Sequence, residues 1–172
     1  NNMVVRNNFV RDITHIMSGG LAFSYSFAPI GILVYAGTGH KIYHNSVSLT
    51  GLMPGTSTAS LSSYAFAVAT TSSTGLDVRN NIFSNTITGG TTSIAHCSMF
   101  LPSGATSAMN LTLNNNAYFS GTDTARQGIL QAGTSAGTGF YLASNFSSSA
   151  ITPAANSRSY TSTLSSGGTN DN

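Results

Sequence analysis

A short phrase recurs four times along this chain at a nearly constant interval. The copies are Val5-Arg6-Asn7-Asn8, Ile42-Tyr43-His44-Asn45, Val78-Arg79-Asn80-Asn81 and Leu113-Asn114-Asn115-Asn116. The closing asparagines, at positions 8, 45, 81 and 116, follow one another at intervals of 37, 36 and 35 residues. A steady period of this length is typical of a solenoid, in which each repeat stacks on its neighbours because it cannot bury a core alone.

Apolar residues recur at alternate positions around each phrase. Three positions before the closing asparagine stand Val5, Ile42, Val78 and Leu113, and two positions after it stand Val10, Val47, Phe83 and Tyr118. The residues between them are mostly polar, which indicates short strands with one buried face. Each later phrase also follows an apolar run and a glycine-containing turn, which adds a further strand to each repeat.

These features predict an all-β fold. We expect a right-handed parallel β-helix of about four to five coils of ~36 residues, forming a single domain over residues 1–172 with an irregular part at 121–172. Helical-hairpin repeats are disfavoured because apolar residues do not recur at a 3.6-residue spacing. A propeller blade would need four strands per repeat, whereas these repeats show two or three.

The repeated asparagine has a structural explanation within that fold. Asparagine tolerates the left-handed backbone conformation that a sharp corner between strands requires. Stacked coils would also let its side-chain amides form a hydrogen-bonded ladder. We expect this ladder at Asn8, Asn45, Asn81 and Asn116, with the preceding residues as the alternative: Asn7, His44, Asn80 and Asn115.

Charge is scarce in this sequence and limits the classes of partner. Charged residues make up 6% of the chain, against roughly 25% in an ordinary soluble domain. The six Lys and Arg residues are spread along the chain without a basic run, so we expect no nucleic-acid partner. No stretch is apolar enough for a transmembrane segment, which needs ~18 residues.

The sequence offers no evident catalytic group, metal site or cofactor site. Hydrolysis of glycosides usually takes two carboxylates flanking one bond, and the four acids, Asp12, Asp77, Asp123 and Asp171, do not fall at one repeat position. His40 and His44 are separated by a strand and a corner, and His15 and His96 have no partner in sequence. Cys97 lies in an apolar run, which predicts a buried and inert thiol.

Two repeats carry a resemblance to a known family. Lys41 to Val47, after the Gly37-Thr38-Gly39 turn, and Leu76 to Phe83, after a Ser/Thr/Gly turn, resemble right-handed parallel β-helix repeat proteins. The likeness, over residues 3–120, is to secreted and surface proteins of Bacteroidetes-type bacteria that are exported by the type IX secretion system. The resemblance implies this fold and an extracellular or cell-surface location. Those proteins usually carry a separate sorting domain, which is not recognisable in this chain.

Three functional hypotheses follow. The first is a non-catalytic structural or adhesive module that binds glycans or neighbouring copies through its loops, for which scarce charge and an exposed Tyr43 or Tyr64 suit a neutral surface. The second is a polysaccharide lyase or hydrolase, or an inactive descendant of one. The third, an ice-binding solenoid, lacks a regular rank of outward threonines. We also expect the chain to be a segment of a longer protein or of a stacked assembly, its ends capped by other domains or copies.

Overall fold

The computed structural model describes residues 1–13, 28–53, 62–90, 94–102, 109–133, 139–144 and 146, and the backbone of one further strand at 161–165. Every regular element in these residues is a strand, which confirms the all-β prediction. The strands are β1 (Val4–Arg6), β2 (Phe9–Arg11), β3 (Ile30–Val34), β4 (Lys41–Tyr43), β5 (Ser46–Leu49), β6 (Leu52–Met53), β7 (Ser63–Val68), β8 (Asp77–Arg79), β9 (Ile82–Asn85), β10 (Thr88–Gly89), β11 (His96–Leu101), β12 (Thr112–Ser120), β13 (Gln127–Ala132), β14 (Phe140–Tyr141) and β15 (Thr161–Ser165).

The strands form three main parallel stacks, which we number in chain order. The first stack contains β1, β4, β8 and the start of β12, and the second contains β2, β5, β9 and the end of β12. The third contains β3, β7, β11 and β13. Strands β6 and β10 form a separate parallel pair, and β15 pairs with β12. Strand β14 departs from this pattern, because it pairs with β13 in the antiparallel sense.

The register of the first two stacks equals the sequence period. Val4 pairs with Lys41, Lys41 with Asp77, and Asp77 with Thr112. In the second stack the corresponding series is Phe9, Ser46, Ile82 and Ala117. The alignment of the four phrases is therefore confirmed, and each residue lies beside its counterpart in the next repeat.

The inward-facing side chains of the three stacks share one apolar core. Ile42, Val78 and Leu113 of the first stack are fully buried in it. Along its centre the ring of Phe83 stacks on Phe66 at 5.2 Å and packs against Tyr118 at 6.0 Å between centroids. Burying a large side chain of this kind contributes roughly 1.5–3 kcal/mol, so the aromatic column is a major source of stability.

Three strands of the third stack, β7, β11 and β13, are buried on both faces. Tyr64, Ala67, Cys97 and Phe100 form a second apolar cluster on the side away from the main core. Strands β7, β11 and β13 consequently have no exposed residue along their whole lengths. The expectation that Tyr64 is exposed is wrong: its side chain is 1% exposed and packs against Phe100 at 5.0 Å.

Candidate functional site

The four closing asparagines lie in one hydrogen-bonded column at the corner between the first and second stacks. Asn8 Nδ2 donates to Asn45 Oδ1 at 2.9 Å, Asn45 Nδ2 to Asn81 Oδ1 at 2.9 Å, and Asn81 Nδ2 to Asn116 Oδ1 at 2.8 Å. Asn45, Asn81 and Asn116 are at most 1% exposed. We call this column the asparagine ladder.

Backbone groups complete each step of the asparagine ladder. The acceptor oxygens of Asn45, Asn81 and Asn116 also receive the backbone N–H of the ladder asparagine before them, as from Asn45 to Asn81 at 2.9 Å. The second amide hydrogen donates to a backbone carbonyl of the preceding repeat, as from Asn81 to Ile42 at 2.9 Å. The amides of Asn45, Asn81 and Asn116 therefore find their partners within the fold, and these three buried members offer no accessible surface to a ligand.

The residue before each ladder asparagine has a different role, which the sequence left open. Asn7, His44, Asn80 and Asn115 have φ values between 53° and 58°, in the left-handed region. They turn the chain at the corner, while the asparagines that follow carry the hydrogen bonds. Asparagine suits the first role because its short polar side chain tolerates this conformation.

A second left-handed column precedes the first stack and was missed in the sequence. Asn2, Gly39, Gly75 and Asn110 all have positive φ and follow one another at the repeat spacing. Backbone hydrogen bonds link them along the stack, as from the Gly39 N–H to the Thr74 carbonyl at 2.9 Å. The signal was that only glycine or asparagine occupies this repeat position, and these are the two residue types that favour the left-handed conformation.

The outward face of the first stack gathers charged and aromatic residues from separate repeats. Arg6 lies beside Tyr43 and Tyr43 beside Arg79, while Lys41 lies beside Asp77 in the neighbouring row. Arg6 and Lys41 are exposed, and the other three are partly exposed. We call these five residues the basic face. The repeat alignment places all five in mostly polar, outward-facing rows, but it did not single them out as a site because their chemical types differ from repeat to repeat.

Asp77 links the aromatic and basic groups of the basic face. The Tyr43 hydroxyl donates to Asp77 Oδ2 at 2.7 Å, and Arg79 Nε donates to Oδ1 of the same carboxylate. Burial, followed by the hydrogen bond to Asp77, raises the pKa of the Tyr43 hydroxyl. The hydrogen bond to Asp77 likewise raises the pKa of the Arg79 guanidinium. One carboxylate thus fixes the orientation of both side chains.

The described carboxylates do not converge on one site. Asp12 follows β2 and pairs with Arg11 at 3.2 Å, and Asp123 lies in the turn before β13 and pairs with Arg126 at 2.9 Å. Asp77 pairs with Arg79 on the first stack. Asp171 lies outside the described residues. In the part of the chain that the structure describes, no group of three His, Cys, Asp or Glu residues is placed to hold a metal ion.

The described histidines have separate structural positions. His40 is buried, where its Nδ1 accepts the Met3 N–H at 3.1 Å and its Nε2 lies 3.1 Å from the Ala36 carbonyl oxygen. His44 is exposed at the corner, where it turns the chain. His96 is fully buried near Ser63, and His15 lies outside the described residues.

A buried polar network surrounds His96. Its Nδ1 lies 2.8 Å from Ser63 Oγ and its Nε2 lies 3.2 Å from the Gly89 carbonyl oxygen. Asn85 Nδ2 donates to Ser63 Oγ at 3.0 Å. Burial lowers the pKa of the His96 imidazole, and the lack of solvent access excludes this serine–histidine pair as a catalytic site.

Cys97 lies in the second apolar cluster and is fully buried. Burial raises the pKa of its thiol far above the ordinary value. A thiol rather than a thiolate is therefore present at neutral pH, which makes this cysteine a poor nucleophile.

Much of the expected loop surface lies outside the described residues, including 54–61, 91–93 and 103–108. Within the described part of the chain, no helix is long and apolar enough to cross a membrane. Comparison with protein-family models, curated proteins and solved structures finds no match for this chain.

Proposed function

We propose that this chain is a segment of a right-handed parallel β-helix and acts as a non-catalytic structural or adhesive module outside the cell. Its partners are glycans or neighbouring copies of the chain. The asparagine ladder is the observation that carries the proposal, because three consecutive side-chain hydrogen bonds join four successive repeats into one continuous element.

The strand order supports the β-helix part of the proposal. After β3 the chain enters β4 and then β5, and after β7 it enters β8 and then β9, so it passes the three stacks in the same order each time. Crossovers between parallel strands are right-handed in about 98% of cases. The four ladder asparagines mark four coils of ~36 residues, and the pairing of β15 with β12 supports a fifth.

A rod built in this way suits a structural role. Each repeat is joined to the next by parallel backbone pairing, a shared apolar core and the asparagine ladder. In such a quasi-one-dimensional fold the stability of each repeat depends on its neighbours, so the stack behaves as one stiff unit. Hydroxyl and amide groups rather than charges keep its surface soluble, which agrees with a neutral extracellular surface.

The enzyme alternative has less support. Each of the three described carboxylates is paired with a nearby arginine, and the three lie on different parts of the fold. Glycoside hydrolysis needs two carboxylates on either side of one bond. An ice-binding surface is disfavoured because Val4, Lys41, Asp77 and Thr112 form a mixed row rather than a row of threonines.

A glycan-array screen combined with lyase and hydrolase assays tests the proposal. We expect binding to at least one glycan without release of oligosaccharides or unsaturated sugar ends. Turnover that disappears in Asp77→Asn or Asp123→Asn would overturn the proposal in favour of the enzyme. Thermal hysteresis of freezing would instead support the ice-binding alternative.

A further inference from the structure

The basic face concentrates a large share of the positive charge of a weakly charged chain. Arg6, Lys41 and Arg79 are three of the six Lys and Arg residues in the sequence. Adjacent strands in a sheet are about 4.8 Å apart, so the α-carbons of these three residues lie within about 10 Å of one another. Asp77 is the acid among them, and the face is therefore net positive.

The arginine and lysine side chains of this face remain available to an anion. No described residue forms an ion pair with Arg6 or Lys41. The contact between Arg79 and Asp77 is made through Nε, so it leaves the two terminal amino groups of the guanidinium for another partner. A planar guanidinium matches a carboxylate with two parallel hydrogen bonds.

Tyr43 adds an apolar platform among these cations. Tyr43 lies directly beside Arg79, whereas Asp77 lies beside Lys41, two residues earlier on β4. Because the Tyr43 hydroxyl donates to Asp77, the ring leans along the strand direction rather than straight across to Arg79. The half-buried ring is held at its far end by that hydrogen bond. An aromatic ring fixed in this way presents a rigid face to a flat, partly apolar partner such as a sugar ring.

Other anionic partners fit this face less well. A single-stranded nucleic acid needs several aromatic platforms for successive bases, and Tyr43 is the one aromatic residue in the two outward rows of β1, β4, β8 and the start of β12. A second copy of this chain offers little complementary charge, because each described carboxylate is already paired with its own arginine.

We propose that the basic face binds an acidic polysaccharide made of uronic acid residues. Arg6, Lys41 and Arg79 bind its carboxylates, and Tyr43 lies against a sugar ring. Asp77 is a positioning residue that orients Tyr43 and Arg79. This inference rests on the proposed function, and it names both the ligand class and the surface that binds it.

Titration calorimetry with polygalacturonate tests this inference. Single variants Arg6→Ser, Lys41→Ser and Arg79→Ser should each weaken binding ~3- to 10-fold, and the triple variant should weaken it more than any single one. Raising the salt concentration should weaken binding by the wild-type protein, because exposed charge pairs are screened. Arg11→Ser is the matched control, since Arg11 is an exposed cation on the second stack, and it should leave the affinity unchanged.

The outcomes separate this inference from the proposed function. Binding of neutral glycans but not of polygalacturonate would overturn the inference and leave the proposed function intact. Cleavage of the polymer would overturn the proposed function. Tighter binding of single-stranded DNA than of polygalacturonate, lost in the same variants, would overturn the choice of a polysaccharide. Circular dichroism checks that each variant folds, and the exposed Arg6 and Lys41 variants decide the result if Arg79→Ser unfolds.

Discussion

Asn45 makes two hydrogen bonds to a single atom of Asn81. Its side-chain Nδ2 and its backbone N–H both donate to Asn81 Oδ1, each at 2.9 Å. The same arrangement recurs between Asn8 and Asn45 and between Asn81 and Asn116. Asn45, Asn81 and Asn116 therefore each anchor both the corner backbone and the corner side chain of the repeat before them.

We expect Asn81→Ala to destabilise the fold by about 2–4 kcal/mol, because it leaves the buried N–H groups of Asn45 without their acceptor. Chemical denaturation measures the loss. Asn8→Ala is the matched control, because Asn8 is exposed and accepts no ladder bond from another described residue. Its effect should be clearly smaller. Equal losses in the two variants would contradict the conclusion that the buried ladder asparagines stabilise the fold by accepting hydrogen bonds from the repeat before them.

The turning residue Asn80 should respond differently from its neighbour in the ladder. Its φ of 56° disfavours a β-branched residue by about 1–2 kcal/mol, whereas glycine adopts this conformation readily. We therefore expect Asn80→Val to lower the unfolding free energy and Asn80→Gly to leave it nearly unchanged. A similar loss in both variants would show that the Asn80 side chain matters more than its backbone conformation.

Alternation and period in the sequence predicted the first two stacks well. Ile42 and Val78 are buried as a period of two requires, and the spacing of the asparagines gives the register directly. The expected exposure of Tyr64 was wrong, because alternation around the four phrases does not show whether the outer face of the third stack is covered. Both faces of β7 are covered, so polar alternation is absent from this strand.

The candidate site was harder to predict because it depends on residues from separate repeats. Arg6, Tyr43 and Arg79 lie at equivalent positions, but their chemical types differ, so they do not stand out as a motif. The left-handed column at Asn2, Gly39, Gly75 and Asn110 was hidden for the same reason. A conformation shared by two residue types does not produce a recurring residue in the sequence, although aligning the repeats on the closing asparagines does bring these four positions together.

The aromatic column gives a prediction about the core. Phe83 is fully buried between Phe66 and Tyr118, and its replacement by alanine would leave a large cavity. We expect Phe83→Ala to cost about 3–5 kcal/mol in unfolding free energy. Ile82→Ala is the matched control, because Ile82 is the residue next to Phe83 and its side chain points outward and is 52% exposed. A comparable loss in both variants would contradict the assignment of faces on β9.

His96 should make the stability of the fold depend on pH. Because the Gly89 carbonyl requires a donor, Nε2 carries the proton in the neutral ring and Nδ1 accepts from Ser63. Burial lowers the folded-state pKa below the ordinary value of 6.5, so the unfolded chain binds more protons than the folded chain as pH falls below that value. The unfolding free energy should therefore fall with decreasing pH below 6.5, by at most about 1.4 kcal/mol per pH unit from this residue.

Denaturation at pH 7 and pH 5 should show a smaller difference in unfolding free energy for His96→Gln than for the wild type. His44→Asn, at an exposed position, should keep the wild-type difference, and an unchanged difference in His96→Gln would assign the pH dependence to other groups.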